Sequence, residues 1–204
     1  MTHRLILVKH SLPRLEPGIP ANRWELSPTG QQRCIRLAEG LAEYLPFQLF
    51  SSMEPKAAQT AALAARQLDI PWRTHPGLHE HERSQVGFRS AEQFQADVRL
   101  FFDRPSEVVF GDESADQAHR RFSAAIQALV QAHPHTEGNL VVVAHGTVIS
   151  LYVSRCRGLP AYPLWEQLGL PSFLVLDLPI ELDQHRNGGH PLDIFNPYHP
   201  GAPV

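Results

Sequence analysis

Four consecutive apolar residues, Leu5-Ile6-Leu7-Val8, stand close to the start of the chain, and the same unbroken pattern returns at Leu140-Val141-Val142-Val143 and at Phe173-Leu174-Val175-Leu176. A strand with one face in water alternates apolar and polar residues, whereas a strand covered on both faces has no polar face to show. Three such runs predict a mainly parallel sheet held between helices, and Phe47 to Phe50 adds a fourth, weaker strand. The stretches between them carry helical spacing. Ser27-Pro28 reads as an N-cap with proline in the first helical position, and Cys34, Leu37, Ala38, Leu41 and Leu45 follow on one stripe, so this helix is expected to reach about Leu45. A second helix is predicted from Pro55 through an alanine-rich stretch to Leu68. A third carries Phe122, Ile126, Leu129 and Val130 on one face, and a fourth follows Gly146. Strand and helix in alternation imply an α/β domain with right-handed crossovers.

A chain of 204 residues, 43% of them apolar and 19% charged, suffices for one sizeable core, so one domain over residues 1–204 is expected. Residues from about His79 to Asp112 break the rhythm with mixed charges and read as an inserted lid. From about Asp183 the tail has little regular pattern. A formal charge of -3 argues against a nucleic-acid surface, which needs a basic patch, but leaves room for a local pocket that takes a small anion. The run Leu5 to Val8 is far too short for a signal-peptide core or a membrane span, so a cytoplasmic protein with no membrane partner is expected. Cys34 and Cys156 have neither metal nor disulfide spacing and read as buried apolar residues. The pattern carries no signal for an oligomeric state.

Three of the predicted strands end in polar residues: Lys9-His10-Ser11, Ser51-Ser52 and His145-Gly146. In open α/β sheets ligands bind beyond the carboxyl ends of the strands, and helix N-termini there favour an anion, so these groups are expected to share one crevice. Lys56, in the first turn of a helix, stands against the helix dipole and needs an anion nearby.

The order of short motifs is more specific than any one of them. Leu7-Val8-Lys9-His10-Ser11 is followed by Leu26-Ser27-Pro28-Thr29-Gly30, then by Ser52-Met53-Glu54-Pro55-Lys56-Ala57-Ala58-Gln59-Thr60-Ala61, Leu78-His79-Glu80 and Val143-Ala144-His145-Gly146. In this order and spacing the chain resembles the histidine phosphatase superfamily, which also contains the cofactor-dependent phosphoglycerate mutases. The resemblance implies a three-layer α/β/α sandwich with the phosphoglycerate mutase-like fold. Two departures stand out. Both motif arginines are lysines, Lys9 and Lys56, and the glycine after the first histidine is Ser11. Lys9 and Lys56 are also the only lysines of the chain, beside sixteen arginines, which places them as parts of a site rather than as chance replacements.

The resemblance implies a metal-independent phosphatase acting on a small phosphomonoester. His10 would attack phosphorus and form a phosphohistidine, while Lys9, Lys56 and His145 stabilise the charge on the equatorial oxygens. Glu80 would protonate the leaving oxygen and later activate water, with Glu82 as the other acid in reach of the same role. Arg14 and Arg83 are candidates for the rest of the substrate. No cofactor and no metal are implied. The rival readings are a non-catalytic phosphate- or protein-binding relative, a phosphomutase, and a metal-dependent hydrolase with His75, His79 and His81 as ligands.

Overall fold

The structure is a computed structural model, and it describes residues 3–133, 138–178 and 192–198. Strands β1 (Arg4–Lys9), β2 (Pro46–Ser51), β3 (Trp72–Thr74), β4 (Asn139–Ala144), β5 (Ser172–Asp177) and β6 (Asp193–Phe195) form one sheet in the order β3-β2-β4-β1-β5-β6. β3, β2, β4 and β1 run parallel, β5 is antiparallel to β1, and β6 is antiparallel to β5. Six α-helices among the described residues flank it: α1 (Pro28–Ala42), α2 (Pro55–Leu68), α3 (Ala91–Asp103), α4 (Ala115–Ala132), α5 (Gly146–Arg157) and α6 (Ala161–Gln167).

The apolar runs do what their lack of alternation requires. Ile6, Val8, Val141, Val143 and Phe173 face the layer of α1 and α2, while Leu5, Leu7, Leu140, Val142, Leu174 and Leu176 face the layer that contains α4 and α5. Every one of these side chains is buried, so truncation of Leu7 to alanine would cost about 3 kcal/mol. The result is the expected three-layer α/β/α sandwich.

Several elements differ from the sequence expectation. α1 stops at Ala42 rather than near Leu45, which is exposed and has a positive φ of 46°. Leu45 precedes Pro46, and the proline ring bars its predecessor from the right-handed helical region. The stretch read as a lid holds α3, started by a capping box in which Ser90 and Gln93 satisfy each other's backbone N–H groups. In the tail, which showed no strand pattern, β6 pairs with β5, and Phe195 stacks on Phe173 at 4.7 Å. Phe195 is admitted by Gly40 of α1, where a Cβ would lie 2.7 Å from its ring. The rest of the expected tail falls largely outside the described residues. No helix among the described residues is long and apolar enough to cross a membrane.

Candidate active site

β1 and β4 lie side by side in parallel register, with Lys9 opposite Ala144, so the residues that follow each strand, His10 and His145, become neighbours. The His10 N–H donates to the Ala144 carbonyl at 3.0 Å, and the two imidazoles meet edge to face with 5.2 Å between centroids. On the other side of β4, the N–H of Ser52 donates to the Val143 carbonyl at 2.9 Å and brings the start of α2 to the same end of the sheet.

The backbone beneath the site explains the short motifs. Gly30 permits the chain after β1 to cross the first turn of α1, since a Cβ there would lie 2.1 Å from the Leu12 carbonyl oxygen. Ser11, where the resembled motif has glycine, is fully buried and turns its hydroxyl to the Gly30 carbonyl at 2.7 Å. Its N–H donates to Thr60 Oγ1 at 3.0 Å, and that hydroxyl donates to the Lys56 carbonyl at 2.7 Å. The serine thus ties β1 to α1 and α2.

The nitrogen chemistry of His10 follows from one contact. Its Nδ1 lies 2.7 Å from the Ser11 carbonyl oxygen, which can only accept, so Nδ1 carries the proton and Nε2 keeps its lone pair. Burial first, and then the neighbouring His145 and Lys56, hold the His10 pKa well below the ordinary histidine value, so the ring is neutral at neutral pH. His145 is fully buried and likewise held well below its ordinary value, by burial and then by Lys56. Neither of its ring nitrogens has a hydrogen-bond partner among the described residues, and Nε2 lies 3.6 Å from Glu54 Oε1.

A cavity of about 600 Å³ opens above His10 and is lined by Lys9, Lys56, Glu80 and Arg83 among others. Lys9 Nζ donates to the Leu168 carbonyl at 2.7 Å, and burial lowers its pKa to about 8, an effect that Glu80 partly offsets. Gly146 makes room for it, because a Cβ there would lie 3.2 Å from Lys9 Cε and 3.3 Å from Trp165 Nε1. Arg83 places its guanidinium 4.8 Å above the Phe94 ring, with Nη1 buried and without a hydrogen-bond partner among the described residues.

Glu54 is the residue that sequence reasoning missed. It is the N-cap of α2, yet its side chain caps nothing. Instead its carboxylate pairs with Lys56 Nζ at 2.5 Å and accepts the Glu80 N–H at 2.8 Å. Lys56 also donates to the Ala21 carbonyl at 2.7 Å. The anion that Lys56 requires at a helix N-terminus is therefore supplied from inside the chain. A glutamate two residues before the lysine was the only sign of this, and local spacing does not show that the two side chains meet in a buried place.

Glu80 Oε1 accepts from the His81 N–H at 2.9 Å, and Oε2 from the Thr147 N–H at the start of α5 at 3.3 Å. Burial pushes its carboxyl up, but Arg83 and the His81 N–H outweigh this and leave the pKa below the ordinary glutamate value. Glu80 accordingly stands ionised here, whereas the sequence reading needs it protonated when substrate binds. Its loop is braced by a second residue that the sequence did not reveal: Arg121 of α4 donates to the carbonyls of Gly77, His79 and Glu80 at 2.9, 2.9 and 3.1 Å.

Of the predicted site residues, Lys9, His10, Lys56, Glu80, Arg83 and His145 are brought together. Arg14 is not: it ion-pairs with Glu16 at 2.9 Å on the surface and lines neither this cavity nor its neighbour, because its loop turns the side chain outward. Glu82 is exposed and bonded to His79 at 3.0 Å, which leaves Glu80 as the acid on the cavity wall. The three histidines of the metal reading are separated in role. His81 is buried between Phe101 and Phe110, with Nε2 on the Glu113 carbonyl at 3.1 Å. No group of three or more His, Cys, Asp or Glu among the described residues is arranged to hold a metal ion.

The comparisons with known proteins bear on the fold and the family. No curated protein matches the chain in sequence. Among solved structures, a mycobacterial glucosyl-3-phosphoglycerate phosphatase superposes with a TM-score of 0.73 at 23% identity, covering 96% of this chain and 99% of its own. A phosphoserine phosphatase variant from Entamoeba histolytica, in complex with phosphoserine, gives 0.69 at 18% identity, with coverage of 96% and 97%. A putative alpha-ribazole-5'-P phosphatase from Escherichia coli gives 0.69 at 19%, with coverage of 95% and 96%. At these identities the likeness shows the shared fold. The profile of the histidine phosphatase superfamily (branch 1) matches residues 20–178, most of the chain, and on that match the chain belongs to the histidine phosphatase superfamily.

Proposed function

We propose that the chain is a phosphatase that hydrolyses a small phosphomonoester through a phosphohistidine on His10. The observation that carries this reading is the His10 ring: neutral, with its proton held on Nδ1 by the Ser11 carbonyl and Nε2 left as a nucleophile, against a buried His145 with no hydrogen-bond partner among the described residues. A neutral nucleophile avoids the repulsion that a phosphate dianion exerts on an anionic one.

In the reaction the Nε2 lone pair forms a bond to phosphorus and the bond to the leaving oxygen breaks. Lys9, Lys56, Arg83 and an N–H of His145 stabilise the phosphoryl oxygens. Glu80 takes up a proton as the dianion enters, because a nearby negative charge raises a carboxyl pKa, and it delivers that proton to the leaving oxygen. The carboxylate then accepts a proton from water as the water attacks phosphorus, and the bond to Nε2 breaks to restore neutral His10. No step requires a metal. Arg89, the remaining cation on the cavity wall, is paired with Asp97 at 3.2 Å, which leaves no unpaired cation there among the described residues for a second phosphate and disfavours a phosphomutase.

The test is to quench turnover of a phosphorus-labelled monoester. An acid-labile, alkali-stable phosphoprotein is expected from the wild type and not from His10→Ala. A fully active His10→Ala enzyme would overturn the mechanism, and phosphate binding without any turnover would identify a non-catalytic relative.

A further inference from the structure

We propose that the substrate is a hydrophobic phosphomonoester, whose leaving group is an apolar alcohol and not a polyhydroxylated one; this rests on the phosphatase reading above. Lys9, His10, Lys56, Glu80 and Arg83 line one part of the cavity, and most of the remaining lining is apolar. Leu15, Ile19 and Trp24 form one wall, and Phe88, Phe94 and Trp165 contribute to the other.

Ligand pockets are commonly apolar, so the lining alone would say little. Two further features give it direction. First, polar side chains on these walls are few: beyond the cluster there are Ser84, Gln85, Arg89 and the indole N–H of Trp165, and Arg89 is already paired with Asp97. A sugar or a polyol entering this space would give up water and find few partners in exchange, which costs binding free energy for each unmatched hydroxyl. Second, large apolar side chains are held open to solvent at the mouth, with Leu15 60% exposed, Phe88 54% and Ile19 39%. A contiguous apolar surface of this kind, continuous with a reactive site, is the mark of a binding face.

The wall on the Leu15 side is built rather than loose. Trp24 donates its indole N–H to the carbonyls of Glu16 and Ile19 at 3.0 and 2.9 Å, so its polar edge is satisfied within the loop and its apolar ring is what remains for a ligand. The base of the loop is pinned by the bridge between Pro13 and Leu26 and by the Arg14 N–H on the Glu25 carbonyl at 2.8 Å. Prolines 13, 17 and 20 restrict it further.

The test compares esters of unhindered primary alcohols, whose intrinsic reactivity is alike: octyl phosphate and phenethyl phosphate against glycerol 3-phosphate and glucose 6-phosphate. The apolar esters are expected to show kcat/KM higher by about tenfold or more, since a single methylene in a hydrophobic pocket is worth roughly tenfold. Phe88→Ser and Leu15→Ser, both at exposed positions where folding does not depend on the side chain, should each reduce that ratio by about fivefold. A ratio near or below one, or a ratio that neither substitution moves, overturns the inference and leaves the phosphatase reading in place. Absence of turnover on all four esters overturns both.

Discussion

Glu54 and Lys56, on either side of Pro55, close a buried ion pair at 2.5 Å at the first turn of α2. The pair joins the two halves of the site, because the same carboxylate holds the Glu80 N–H and stands 3.6 Å from His145 Nε2. A buried cation that loses its paired counter-charge is far more costly than the pair itself is favourable.

Glu54→Leu is therefore expected to destabilise the fold by about 3 kcal/mol, with Glu54→Gln intermediate. Inorganic phosphate, a substitute anion for Lys56, should raise the Tm of either variant more than that of the wild type. Thermal denaturation with and without phosphate checks this, and equal responses in all three proteins would show that Lys56 does not meet the bound anion.

The two lysines are enclosed as compact ammonium groups, Lys9 between Leu168 and Gly146 and Lys56 between Ala21 and Glu54. Lys9→Arg and Lys56→Arg should lower kcat/KM, since a displacement of about 1 Å costs on the order of 10²-fold. Lys→Met at either place should lose more, in line with roughly 3 to 4 kcal/mol for deletion of one preorganised donor. Steady-state kinetics on four folded variants decides; arginine variants that match or exceed the wild type would make the lysines tolerated substitutes.

Activity should fall on the alkaline side at an unusually low pH. Lys9 is protonated below about 8 and neutral above it, so the charge that holds the phosphoryl group is lost as pH rises through that value. Because kcat/KM reports the free enzyme, its profile is expected to bend downward near pH 8. In Lys9→Arg that bend should vanish even though the absolute rate is lower. A wild-type profile flat to pH 10 would contradict the assignment.

Gly40→Ala offers a test of the far edge of the sheet. In an exposed helix the change would stabilise by up to about 1 kcal/mol. Here the new Cβ would meet the Phe195 ring at 2.7 Å and displace it from Phe173. The lost stacking, about 0.5 to 1.5 kcal/mol, and the lost burial, about 1.5 to 3, outweigh the helical gain. A net loss of about 1 to 3 kcal/mol is expected in denaturant unfolding, with kcat/KM unchanged; a more stable variant would show that β6 is not held by this contact.

Much of this protein could be read from the order of its residues. Unbroken apolar runs located β1, β4 and β5 because a strand buried on both faces has no polar position, and Pro55 with the alanines after it bounded α2 as observed, Pro55–Leu68. His10 and His145 were legible as a pair because each follows such a run. Other features depend on contacts between distant segments. The β1–β4 register sets His10 beside His145, and it pairs residues 135 positions apart in the chain, such as Leu5 and Leu140. Arg83 and Arg14 look alike in sequence, yet packing on Phe94 carries one into the cavity while the other pairs with Glu16 on the surface. Neither Glu54 nor Arg121 carries a local sign that settles the partner it takes. Local periodicity reports which faces are buried, whereas the partner of a buried charge is decided when whole elements dock, and only the tertiary structure brought Glu54 to Lys56 and Arg121 to the loop that carries Glu80.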